Sequence, residues 1–242
     1  MRPFARPAKV TDSQRVPVEG STSQLPIDWR MVHVCNRAAG RRRAKSKTDG
    51  NRSIMSDSAL FLDRDGVINV DRGYIHRPAQ FEFVPGIFEL ARFWTNELRR
   101  PIVVVTNQSG IGRGYFDQNT YAELTRWMCD RFAAEGTAIT RVYHCPYHPL
   151  DGIGAYRCDH SWRKPNPGML LQAASDLELD PARCAIIGDK MSDMEAGAAA
   201  GIGLRILLGP CEEKWAELAH DVVADLGEAL ALVRARFRPE VP

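Results

Sequence analysis

The chain has 242 residues, 44% of them hydrophobic, and a formal net charge of +2, enough for one large domain or two small ones. No apolar run approaches the roughly 20 residues of a membrane span and no signal-peptide core opens the chain, which argues against a membrane partner. The six cysteines (Cys35, Cys129, Cys145, Cys158, Cys184 and Cys211) are irregularly spaced, do not form a disulfide framework, and point to a reduced, cytoplasmic setting.

The modest net charge hides an asymmetry. Residues 1–55 carry 12 Lys and Arg against 4 Asp and Glu, a net of +8, and the remaining residues carry −6. This first segment is rich in Pro, Ser and Arg, includes the run Arg41-Arg42-Arg43-Ala44-Lys45-Ser46-Lys47, and shows neither strand nor helix periodicity. It is expected to be disordered. A nucleic-acid-binding arm and an Arg-rich transit segment are both open to it. The favoured reading is an idle tail or a start-site artefact, with Met55 opening the working protein and residues 56–242 forming its domain.

From residue 59 strand and helix signals alternate. Ala59–Leu62 reads as a strand, followed by an irregular excursion over 64–86 containing Gly73, Pro78, Pro85 and Gly86. Ile87–Arg99 carries a helical stripe of Ile87, Leu90, Ala91, Trp94 and Leu98. Ile102–Thr106 is a continuous apolar, β-branched run, as expected for a strand covered on both faces. A helix over Asn119–Glu135 and a short strand over Thr140–Tyr143 follow, then a long loop over 145–164. Pro167–Leu177 is a helix with Pro at its start. Ala185–Ile187 is a strand, Ser192–Ala200 a helix, Leu204–Leu208 a strand, and Val222–Ala224 with Glu228–Phe237 close the chain as strand and helix. The alternation predicts an α/β fold with a doubly wound parallel sheet.

In such a sheet ligands sit beyond the carboxyl ends of the strands. Asp63, Thr106 and Asp189 each stand just past or at the last residues of a strand, so the pattern brings them to one crevice. Asp63 and Asp65, spaced i, i+2 in Asp63-Arg64-Asp65-Gly66, suit a carboxylate nucleophile and a neighbouring acid/base. An aspartate nucleophile can form an aspartyl-phosphate, dividing a phosphoryl transfer into two easier steps. Attack by one anion on another requires neutralisation, for which Mg²⁺ with oxygen ligands is suited. Asp189 and Asp193 are further acids for its shell. Lys164 offers a point charge to phosphoryl oxygens, and Thr106 with the N–H groups from Asn107 onward offers an anion cradle. Gly110, Gly112 and Gly114 would let that loop approach a ligand. Each residue has an ordinary alternative: Asp-x-Asp-Gly forms turns, Thr106-Asn107 or Asp189 can cap a helix, and a lone lysine is usually at the surface. Their coincidence at matching strand ends is what these alternatives leave unexplained.

Together DRDGVIN, VVVTNQSGIGRG, RKPNPGM and GDKMSDMEAG resemble the haloacid dehalogenase superfamily of Mg²⁺-dependent phosphatases, over roughly residues 57–210. Through GYIHRPAQFEFVPG and CPYHP the chain is similar to the small, cap-poor heptose 1,7-bisphosphate 7-phosphatases of that superfamily; histidinol-phosphate phosphatases are similar in all four motifs. The resemblance implies a Rossmann-like sheet with minimal or no cap, and a sugar-phosphate substrate. It implies Asp63 as nucleophile, Asp65 as acid/base, and Thr106, Asn107 and Lys164 as phosphate ligands. Mg²⁺ would sit on the Asp63 side chain, the Asp65 carbonyl and Asp189, while Arg163 and Lys190 would contact the sugar or the far phosphate. Related enzymes often carry a structural zinc loop before the Arg-Lys-Pro segment. Here Tyr147 and His160 replace two of its usual ligands, yet Cys145, His148, Cys158 and His160 could still make a Cys₂His₂ zinc site.

Two other functions compete. A non-catalytic phospho-ligand binder on the same scaffold would not need an acid/base beside a nucleophile. Processing of nucleic-acid ends would use the basic tail, but the acidic body disfavours tracking a phosphate backbone. A monomer is expected.

Overall fold

β-Branched and apolar runs build the middle of a sheet, and the computed structural model describes it over residues 57–210 and 217–238 together with the backbone of His33–Val34. The strands and helices, in chain order, are β1 (His33–Val34), β2 (Leu60–Leu62), α1 (Ile87–Arg92), β3 (Ile102–Asn107), α2 (Ser109–Gly112), α3 (Gln118–Ala134), β4 (Arg141–Cys145), α4 (Gly168–Leu177), β5 (Ala185–Gly188), α5 (Met191–Ala199), β6 (Leu204–Leu208), β7 (Asp221–Val223) and α6 (Leu226–Arg236). The sheet order is β1-β4-β3-β2-β5-β6-β7. The pairings from β4 through β7 are parallel, and β1 joins the edge antiparallel to β4. The rest of the basic segment lies outside the described residues.

The strands are covered on both faces, as their unbroken apolar character requires. In β2, Leu60 and Leu62 enter one core with Trp94, Leu124 and Phe132, from the side of α1, α3 and α6. Phe61 enters the other core, with Met169, Leu170 and Met194 from α4 and α5. The chain leaves β2 toward β3 and β4 on one side and returns to β5, β6 and β7 on the other. The strand order therefore reverses at β2, and the crevice beyond its carboxyl end is where such folds bind ligands.

The differences from expectation have local causes. The helix that begins at Ile87 passes into a π-turn over Phe93–Glu97, where the Trp94 indole N–H donates to the Pro101 carbonyl (3.0 Å). The helix α2 was not foreseen, because Ser-Gly-Ile-Gly has little helix propensity. The excursion after β2 folds back on itself. Val70 N–H donates to Glu82 O, and Val84 N–H to Ile68 O, making a small flap rather than a separate cap domain. No helix among the described residues is long and apolar enough to cross a membrane. Cys145, Cys158 and Cys184 are free thiols, and Cys129 is disulfide-bonded.

Candidate active site

The carboxyl ends of β2, β3 and β5 and the Lys164 loop converge on one cleft of about 560 Å³, whose walls include Asp63, Asp65, Asn107, Arg163, Lys164 and Lys190. Asp63 follows β2 directly, and its N–H still pairs with Ile187 O of β5 (3.1 Å). Its Oδ1 accepts from the Arg64 backbone N–H (2.7 Å) and lies 3.0 Å from Lys164 Nζ. Both contacts fall on Oδ1, so Oδ2 is the oxygen that can face a substrate.

Lys164 is almost wholly buried. Its ammonium lies between Asp63 and Asp193 and donates to the Val105 carbonyl (2.8 Å). The lysine is pinned from behind by Asn107, whose side chain donates to Lys164 O (3.0 Å) and accepts from Lys164 N–H (3.1 Å). Asn107, expected as a phosphate ligand, thus uses its amide to place the lysine. Burial pulls the Lys164 pKa down, but Asp193 and Asp63 together push it above its ordinary value, so it is held as a cation.

Asp63, Asp189 and Asp193 bring carboxylate oxygens within 4.8 Å of one another, the only such group of possible metal ligands among the described residues. Two glycines make this possible. At Gly66, with φ of +97°, a Cβ would overlap the Asp189 carboxylate, and at Gly188 a Cβ would overlap Asp193. Burial, reinforced by Asp193 and Asp65 and opposed by Lys164, pushes Asp63 up to about 6. Burial likewise pushes Asp189 up to about 7, against Lys190 and with Asp63 and Asp193. Asp193 is already committed, one oxygen to Lys164 and the other to the Lys190 backbone N–H (3.1 Å). Asp189 Oδ1 is buried with no hydrogen-bond partner. Three carboxylates facing two ammonium groups, with one buried oxygen unpartnered, fit a hard divalent cation such as Mg²⁺.

Asp65 sits across the cleft. Arg64 Nη2 donates to both its oxygens (2.8 Å each), Asn69 Nδ2 donates to Oδ1 (3.1 Å) and Gln108 Nε2 to Oδ2 (2.9 Å). Thr106 is buried at the end of β3 and accepts from the same Gln108 nitrogen (2.9 Å). Lys190, half exposed, pairs with Asp71 Oδ2 (2.9 Å). Burial works to raise the Asp71 pKa, but Lys190 and the other donors around it hold it below its ordinary value. Arg163 lines the cleft while its guanidinium donates to Tyr147 O (3.0 Å).

All eight expected residues of the phosphate and Mg²⁺ site (Asp63, Asp65, Thr106, Asn107, Arg163, Lys164, Asp189 and Lys190) lie in or against this one region. Arg64, Asn69, Gln108 and Asp71 were missed. A charged residue following a buried strand was a signal for Arg64, but the partners of the two amides become visible only in three dimensions.

One expectation is corrected. Cys145, His148, Cys158 and His160 do not assemble into a zinc site. Among the described residues no three of them share coordination spacing. Tyr147 stacks flat on the His160 ring (4.4 Å, 6°), His148 Nδ1 accepts from the Leu150 and Asp151 N–H groups, and His160 Nδ1 accepts from Trp162 N–H. The glycines after β3 also serve packing, and Gly110 lines the cleft as well. A Cβ at Gly110 would meet Phe116 and Tyr74, and one at Gly112 would meet Pro146 O and Tyr156.

A HAD-hydrolase-like family model matches residues 161–229. A D-glycero-beta-D-manno-heptose-1,7-bisphosphate 7-phosphatase of Vibrio cholerae is 43% identical over 191 residues, 78% of this chain and 96% of the relative. A D-glycero-alpha-D-manno-heptose-1,7-bisphosphate 7-phosphatase of Burkholderia mallei is 49% identical over 154 residues, 64% of this chain and 81% of the relative. Among solved structures, a D,D-heptose 1,7-bisphosphate phosphatase from B. bronchiseptica complexed with magnesium and phosphate superposes with a TM-score of 0.63. It is 28% identical and covers 74% of this chain and 99% of its own.

Proposed function

The chain belongs to the heptose 1,7-bisphosphate 7-phosphatases of the haloacid dehalogenase-like hydrolases, and from that membership we propose that it removes the 7-phosphate of D-glycero-D-manno-heptose 1,7-bisphosphate through an aspartyl-phosphate on Asp63. The observation that carries the reading is the meeting of Asp63, Lys164, Asp189 and Asp193 at one strand-end cleft.

Asp63 Oδ2 attacks phosphorus. A bond forms between that oxygen and phosphorus as the bond from phosphorus to the sugar oxygen breaks, and Asp65 delivers a proton to the leaving oxygen. In the second half Asp65 takes a proton from water, the water oxygen bonds to phosphorus, and the Asp63 carboxylate is released with inorganic phosphate. Lys164 and Thr106 hold phosphoryl oxygens where negative charge grows, and Asn107 acts through Lys164. Asp63, Asp189 and the Asp65 carbonyl would hold Mg²⁺, which when bound neutralises charge between the nucleophile and the phosphoryl group. Asp193 fixes Lys164 and the Lys190 backbone. Arg163 and Lys190, at the open side of the cleft, face the sugar and its second phosphate.

The reading includes a monomer working in the cytoplasm. Relatives named for both anomers match the chain, so the test uses both. Phosphate release is measured with Mg²⁺ on the α and β heptose bisphosphates and on histidinol phosphate. We expect kcat/KM at least about 100-fold higher for one or both heptose substrates, with Asp63→Asn losing about 1,000-fold or more. Preference for histidinol phosphate would move the substrate assignment, and an active Asp63→Asn would remove the mechanism.

A further inference from the structure

Gln108 follows β3, and its backbone N–H is anchored to Cys145 O (2.8 Å). The residue is 3% exposed, and its side chain reaches both Thr106 of β3 and Asp65 in the loop after β2. The same nitrogen, Nε2, donates to Asp65 Oδ2 and to Thr106 Oγ1, each at 2.9 Å. The NH₂ end of the amide faces both acceptors, and both hydrogens of that group are used. The consequence falls on Thr106. Its hydroxyl accepts from Gln108, its only hydrogen-bond partner among the described residues, so its own proton is left to be given away. On Asp65, Oδ1 is fixed by Arg64 and Asn69 and Oδ2 by Arg64 and Gln108. Arg64 and Asn69 belong to the same loop as Asp65, so Gln108 alone ties this carboxylate to the strand that carries Thr106.

Resting on the phosphatase reading above, we propose that Gln108 is a positioning residue that sets two partners with one amide: it makes the Thr106 hydroxyl a donor to the phosphoryl group and holds the Asp65 carboxylate at the angle needed for proton transfer. One side chain thus couples the phosphate seat to the acid/base.

Two variants of similar bulk separate this from space filling. Gln108→Met keeps the volume and loses both donors. Gln108→Glu keeps the shape, takes the Thr106 proton for itself and places a negative charge beside Asp65. Both are compared with wild type for Tm, kcat and KM from pH 5 to 9, and for inhibition by inorganic phosphate. The substrates are the heptose bisphosphate and p-nitrophenyl phosphate, whose leaving group needs little protonation. We expect Tm nearly unchanged and kcat on the sugar substrate down about tenfold in the Met variant and about 100-fold in the Glu variant. The Glu variant should also bind phosphate about tenfold more weakly and show a displaced pH profile. The Met variant should lose less on p-nitrophenyl phosphate than on the sugar. A Met variant within about twofold of wild type in kcat and pH profile, or equal losses in both variants with lowered Tm, overturns the proposal. Wild-type turnover in the same assay separates that failure from failure of the phosphatase reading.

Discussion

Lys164 carries the electrostatics of this site at the scale of a single residue. It is the cation buried between Asp63 and Asp193, and each carboxylate alone in that position would be costly. Lys164→Met should therefore lower unfolding free energy by about 3–5 kcal/mol without divalent metal, read by guanidinium denaturation. A loss below about 1 kcal/mol would mean that the two acids are relieved by other means. Gly66 bears on the same cluster. Gly66→Ala forces a side chain into a positive φ and into the Asp189 carboxylate, so the rise in Tm that Mg²⁺ gives the wild type should vanish. The acids also predict a pH dependence. Asp63 and Asp189 are raised to about 6 and about 7 from an ordinary 3.8, so the folded metal-free protein binds protons that the unfolded chain gives up. Their contribution to metal-free stability is favourable at acid pH and is lost as pH rises through 6 to 7. Mg²⁺ must displace those protons, and its stabilisation should be larger near about pH 8 than near about pH 5.5; thermal melts with and without Mg²⁺ check this, and equal shifts at both pH values would contradict it. Asp63, Asp65 and Asp189 were legible in the sequence because charged groups at buried strand ends need a reason, and Lys164 was legible as the cation such a site requires. Gln108 was not, and neither was the part Asn107 plays, since an amide's role is set by whichever partner meets it, 43 residues away for Gln108 and 57 for Asn107.

Elements were legible where burial and local chemistry agree. The run Ile102–Thr106 is apolar enough to be read as a buried strand, and Gln118–Ala134 follows an N-cap, Asp117, whose side chain accepts from Thr120 N–H (2.7 Å). That cap gives a control. Asp117→Ala should cost about 1 kcal/mol of stability, with kcat/KM within about twofold of wild type, because Asp117 touches none of the catalytic side chains; a large kinetic defect would show that α3 steers the cleft. Short elements escaped the sequence because tertiary contacts make them. The helix α2 forms as Gln108 is pinned to Cys145 and the glycines admit Phe116, Tyr74 and Pro146. The zinc expectation failed for a related reason: ligand spacing along the chain does not fix ring orientation. Stacking on Tyr147 and backbone donors claimed His160 and His148 instead.

In the whole molecule the site depends on the reversal of strand order at β2, which sets β3 and β5 on either side of Asp63. The basic segment is attached elsewhere. His33 and Val34 pair with Val142 and Arg141, at the start of β4, whereas the site lies beyond the opposite, carboxyl ends of the strands. Two ladder pairs on an edge hold little of the sheet, and the described walls of the cleft come from residues 63–192. Removing residues 1–54 should leave kcat/KM within about twofold of the full chain, since every catalytic residue assigned above follows them in the sequence. It should also strip a segment carrying 12 Lys and Arg against 4 acids and leave an acidic body. Binding to a polyanion such as heparin, which follows that charge, should fall sharply in the truncated protein while phosphate release persists. Activity falling about tenfold or more on truncation would make the segment part of the catalytic unit. Unchanged heparin binding would place the anion affinity on the acidic body, against its net charge. Because the excess positive charge belongs to the first segment and the described cleft residues belong to the body, the two assays should separate.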